Sequence, residues 1–125
     1  MKILFAPTVI VLALVSVVVP LSAHHSWPVS YSRLVTVKGT VTQFVWANPH
    51  PMMTLAVPTA DGQKEKWTVG GPAIIRMEAN GWTKTTIKPG DTITGIGYQF
   101  ADGQKVIRLE RVVLDDGKEM RLYGH

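Results

Sequence analysis

Residues 35–57 read VTVKGTVTQFVWANPHPMMTLAV, and the spacing inside that stretch decides the fold. Val35, Val37 and Val41 alternate with Thr36, Lys38, Thr40 and Thr42. Period-two alternation marks a strand with one face in a core. Gly39 takes the inward position between Val37 and Val41, where the missing side chain lets a strand coil sharply enough for a sheet to close on itself. The alternation breaks at Phe44-Val45-Trp46, which predicts a bulge there. Ala47-Asn48-Pro49-His50-Pro51 must turn, because its two prolines cannot both sit in a ladder. Met53, Leu55 and Val57 then resume as the inward face of a second strand. With that strand beginning at His50, His50 and Met52 share its opposite face.

Downstream, residues 64–69 read as a third strand. Asp61-Gly62 makes the turn before it, since glycine readily takes the positive φ of a tight hairpin. The same five residues, ADGQK, recur at 60–64 and 101–105, which is one hairpin solution used twice. Between the hairpins lies the single helix the sequence supports, residues 72–80. It is entered through Gly70-Gly71, has Pro72 in its first turn and is stopped by Gly81. Lys88-Pro89-Gly90-Asp91 turns into a strand over 92–100; a long strand follows over 106–114, then Asp115-Asp116-Gly117 and a short tail strand over 120–123. Three strands, a helix, then two strands or a little more is the order of an all-β OB-like fold. That fold is a small five-stranded barrel with its helix between the third and fourth strands. An irregular split barrel or sandwich is the structural alternative.

The barrel is expected over residues 34–125, preceded by an extended arm over 24–33 that has no period. Residues 1–23 read as a signal peptide. Lys2 gives a positive start, residues 9–19 are a nearly unbroken apolar run, and Pro20 ends any helix before Leu21-Ser22-Ala23. Cleavage after Ala23 follows. The alternative is an uncut anchor, but the run is short of the about 20 residues that a spanning helix needs. A periplasmic or secreted protein with no membrane span after processing is therefore expected. Absence of cysteine excludes a disulfide framework, a thiolate metal site and a cysteine nucleophile, so stability must come from packing. The formal charge of +4 is scattered, which fits an anionic envelope surface better than nucleic acid.

Ala23-His24-His25-Ser26, Gly39-Thr40-Val41, Asn48-Pro49-His50, Gly81-Trp82 and Lys88-Pro89-Gly90-Asp91 together resemble a family of small exported bacterial proteins, a domain of unknown function. The resemblance covers nearly the whole chain after residue 23. It implies export and a small β domain, and it brings no activity, so the chemistry is left to the residues.

None of the four histidines, His24, His25, His50 and His125, lies within an apolar strand. The plain alternative to function is a solvated imidazole, and it suits His125 best, alone at a terminus. If processing makes His24 the first residue, its α-amine and imidazole can chelate together, with His50 completing three nitrogens. Cu(II) favours such tetragonal nitrogen coordination. His25 could replace His50 by binding through the amine and the intervening amide. Met52, beside His50, would add a thioether suited to Cu(I), against its plainer role as a gap-filling hydrophobe. Zinc fits poorly, since a closed site wants four ligands and no thiolate exists. No serine stands in a nucleophile elbow, and Asp115-Asp116 reads as a turn, so no enzyme activity is expected. A copper centre with an amino-terminal histidine resembles oxidative polysaccharide-cleaving enzymes, but those rest on a much larger scaffold.

The alternative function is a metal-independent module of the cell envelope that binds a ligand or protein through an aromatic face. Trp27, Trp46, Trp67, Trp82, Tyr31 and Tyr98 are many large rings for so small a domain. Trp67 and Trp82 fit core packing, whereas Trp46 and Asn48 flank the His50 turn and are the better ligand-binding candidates. A larger envelope protein as partner of the arm or a barrel edge is a third expectation.

Overall fold

The computed structural model describes residues 27–123 together with residue 3. The expected signal peptide, His24, His25 and His125 lie outside the described residues. Six strands and one helix follow in the order β1 (Val29–Val45), β2 (Met52–Pro58), β3 (Lys64–Gly70), α1 (Ile74–Ala79), β4 (Thr92–Phe100), β5 (Val106–Leu114) and β6 (Glu119–Arg121). The sheet order is β3-β2-β1-β4-β5-β6. A parallel pairing of β3 with β5, Thr68 to Val106 and Val69 to Ile107, closes the first five of these into a ring and leaves β6 at the edge. This is the OB-like barrel that the element order implies, with α1 between the third and fourth strands.

Inward residues follow the period of two. Val37, Val41, Met53, Leu55, Val69, Ile93, Ile107, Leu109 and Val112 are buried, with Val35 and Val57 packed at the margin of this core. Met77 of α1, Trp82 and Ile87 are buried as well. No charged residue is buried among the described residues, so packing supplies the stability that disulfides cannot. Close approach at Gly97 explains how the strands coil so tightly. A Cβ there would lie 2.1 Å from the Arg108 carbonyl oxygen on β5. Gly39 similarly faces the Ala56 carbonyl, 2.7 Å from where its Cβ would stand. Both ADGQK hairpin turns form as expected, with positive φ at Gly62 and Gly103.

Local expectations are corrected at β1 and β2, and the tail strand expected over 120–123 is Glu119–Arg121. The bulge falls at Thr42, between the pairs Val41–Leu55 and Gln43–Thr54, and Phe44 and Val45 remain paired with Met53 and Met52. Thr42 and Gln43 are consecutive outward residues, so one extra residue there resets the phase and returns Phe44 to the core side. Residues 29–33, expected in the arm, belong to β1, because Val29 pairs with Phe100 and Leu34 with Tyr98 across a second irregularity. Backbone pairing of that kind needs no hydrophobic period, which is why the sequence did not announce it. The second strand begins at Met52 rather than His50, since Pro49 and Pro51 keep the turn out of the ladder.

Candidate functional site

The turn between β1 and β2 is fastened to the junction of β3 and α1. Asn48 Oδ1 accepts a hydrogen bond from the Ile74 backbone N–H at 3.0 Å. It thereby satisfies a helix-start donor that Ala73, the residue at the cap, has no side chain to reach. Gly71 N–H donates to the Pro51 carbonyl at 3.2 Å, and His50 Nδ1 lies 2.9 Å from the Gly71 carbonyl. A carbonyl only accepts, so Nδ1 carries the hydrogen, and in the neutral ring Nε2 keeps the lone pair. Nε2 makes no bond among the described residues and is not among the fully buried atoms without partners. His50 is therefore half-buried, fixed in orientation, and open at one nitrogen.

Strand register assembles the surroundings. Met52 pairs with Gly70, Gly70 with Arg108, Arg108 with Tyr98 and Tyr98 with Leu34. Paired residues share a face, and the neighbouring Met53, Val69 and Ile107 point inward, so this row lies on the outside of the barrel. Gly70 leaves a hollow in the row. A Cβ there would meet Met52 Sδ at 2.3 Å and Trp27 Cη2 at 2.8 Å. Trp27 thus settles over Gly70 beside Met52, its ring 4.7 Å from His50 and 6.1 Å from Phe100, centroid to centroid. The start of β1 is held there by Ala101 N–H donating to the Pro28 carbonyl. Trp27 Nε1 is buried without a hydrogen-bond partner among the described residues.

Beside Trp27 and His50 opens a cleft of about 440 Å³, also lined by Tyr31, Ile75, Arg76, Arg108 and Tyr123. The Arg108 guanidinium lies 3.8 Å from the Tyr123 ring centroid and pairs with Glu110. Arg76 approaches the same ring at 5.9 Å. Burial pushes the Tyr123 phenol above its ordinary pKa of 10.0, with Arg108 opposing, so the hydroxyl stays neutral and able to donate. Tyr31 packs edge-on to Tyr98 at 5.1 Å.

Of the described residues singled out from sequence, the structure brings His50, Trp27 and Tyr31 to one cleft, with Met52 beside Trp27, and places Trp46, Asn48, Trp67 and Trp82 in other roles. Trp46 packs on Phe44 at 5.8 Å and lines a separate hollow with Trp82, Thr83 and Lys84. Asn48 spends its carbonyl on the helix start. Trp82 is buried and donates to the Arg121 carbonyl at 2.7 Å, and Trp67 donates to Glu65 at 2.9 Å, so both are structural. No group of three or more histidine, cysteine, aspartate or glutamate side chains gathers among the described residues. Sequence reasoning missed Arg76, Arg108 and Tyr123. The available signal was Arg108 and Glu110 alternating with the apolar Ile107 and Leu109 in β5.

Barrel and helix together define a protein of the OB-fold class. Residues 12–108 match the family of unknown function DUF6152, and the chain belongs to that family. No curated protein matches it in sequence. Among solved structures, it is similar to a chain in the crystal structure of a complex of TiaS with a tRNA and ATP, at 12% identity and a TM-score of 0.51. That similarity spans 74% of this chain and only 20% of the other, so what is shared is the fold. No helix among the described residues is long and apolar enough to cross a membrane.

Proposed function

We propose that the protein is an exported, non-enzymatic binding protein of the cell envelope that holds copper between the amino-terminal histidine of its processed chain and His50. The observation that carries this reading is the packing of Trp27 on a His50 ring whose Nδ1 is committed to Gly71. His50 then presents Nε2 as a ligand without further reorganisation. His24 stands three residues before Trp27, a span of at most about 10 Å of chain, so its amine and imidazole are within reach of that nitrogen. Met52 Sδ, beside Trp27, is the soft donor available to Cu(I). The chain brings no thiolate, which favours the nitrogen-rich Cu(II) set over zinc.

Equilibrium dialysis of protein beginning at His24 against Cu(II), followed by metal analysis, tests the reading. One equivalent bound, with loss on His50→Ala, is expected. Binding that ignores His50 would leave only unspecific imidazole contacts.

A further inference from the structure

The cleft beside His50 has a chemistry that a cation site does not use. Its charged lining residues are both arginines, Arg76 and Arg108, held against one aromatic ring. Arg108 shares its charge with Glu110, whereas Arg76 has no ion pair among the described residues. A neutral phenol adds a donor at Tyr123. The apolar part of the lining is Trp27, Pro72, Ala73 and the rim residues Tyr31 and Ile75. Tyr31 is 66% exposed and Ile75 is 80% exposed, although both are large apolar groups. A large aliphatic side chain left in water loses transfer free energy that an apolar ligand body would restore. The guanidinium supplies paired donors that fit a carboxylate or phosphate.

We infer that this cleft binds an amphiphilic anion, its carboxylate or phosphate head on Arg76 and Arg108 and its apolar body along Ile75, Tyr31 and Trp27. The cleft volume of about 440 Å³ lies toward the small end of ligand pockets, which run from about 300 to 1,000 Å³. It therefore takes one head group with a short apolar stretch, while a longer chain extends over the open rim. Such a ligand is either a free amphiphile or the head group of an anionic lipid, and both present the same chemistry.

The test uses metal-stripped protein, so that its outcome is independent of copper. Dodecyl phosphate below its micellar concentration is titrated by calorimetry, with dodecanol as the neutral control. Saturable binding of the phosphate and none of the alcohol is expected. Arg76→Gln should weaken binding at least about tenfold, and Ile75→Ser several-fold. Both residues are exposed on α1, and unchanged circular dichroism verifies that the variants fold. Sedimentation with phosphatidylglycerol against phosphatidylcholine vesicles separates the sources. Binding to the anionic vesicles assigns a lipid head group; binding to dodecyl phosphate alone assigns a free amphiphile. Absence of saturable binding, equal binding of dodecanol, or an Arg76→Gln protein that binds like the parent would overturn the inference.

Discussion

The indole of Trp27 rests on the imidazole of His50, with centroids 4.7 Å apart and planes inclined by 52°. One ring stands just before β1 and the other sits in the turn between β1 and β2, so this contact, with those of Trp27 to Phe100 and Gly70, ties the residue before β1 to the barrel. Trp27→Leu keeps an apolar group over Gly70 but removes the ring contacts. It should cost about 1–2 kcal/mol in urea unfolding and weaken Cu(II) binding in the same protein. A loss of stability with copper affinity unchanged would separate the arm's anchoring from the proposed metal site.

Copper affinity should depend on where the chain begins. Protein starting at His24 presents an α-amine and an imidazole on one residue, whereas one added residue before His24 removes that chelate. The extended form should bind Cu(II) at least about tenfold more weakly, roughly 1.4 kcal/mol. His50→Ala should weaken the processed form and change the extended form little, as measured by competition with a calibrated chelator.

Asn48 is a helix-start partner in the structure, and its substitution should read as stability rather than ligand affinity. Asn48→Ala leaves the Ile74 N–H without its acceptor and should cost about 1 kcal/mol. Urea denaturation gives the cost; titration of Cu(II) and of dodecyl phosphate should show only small changes.

At Gly97 the expected effect is larger. An added methyl meets the β5 backbone at Arg108 and Leu109, and backbone cannot move aside as a side-chain tip can. Gly97→Ala should destabilise by about 3 kcal/mol, with the m-value of unfolding reporting whether the native barrel persists.

Glu65 offers a pH-dependent check on the junction of β3 with the β4–β5 hairpin. The Lys105 ammonium, and then the Trp67 indole N–H, hold its carboxyl below the ordinary value of 4.5. A depressed folded pKa means that the stabilisation is fully present above that value and is lost as pH falls through the folded one. The difference in urea midpoint between the parent and Glu65→Gln should therefore be small and constant near neutrality, as for any exposed pair. It should vanish as pH drops below 4.5 and through the lowered folded value. A difference that persists at lower pH would assign the effect to packing.

Strand positions, both Asp-Gly turns and the inward set were legible because they rest on local physics. Alternation of Val35, Val37 and Val41 survives in any register that buries one face, and the residues at turns answer to their own φ and ψ. The short helix was likewise bracketed by Pro72 and Gly81, although it forms only over Ile74–Ala79. Ring closure was implied by the element order and by Gly39, without any reading of which residues would meet.

That meeting is what the tertiary structure decided. Gly70 and Arg108 are far apart in the chain and become neighbours only when β3 pairs with β5, while Tyr123 reaches Arg108 only after β6 has turned back along β5. The hollow that receives Trp27 exists because a glycine occupies one place in that row. Local sequence carries the period of a strand but not its partner or its offset, since the same alternation satisfies many pairings. Sequence by itself thus determined that His50 is a turn residue outside the apolar strands and that this chain folds as a small barrel. The cleft, its two arginines and its exposed apolar rim follow from long-range register, which the whole core fixes at once.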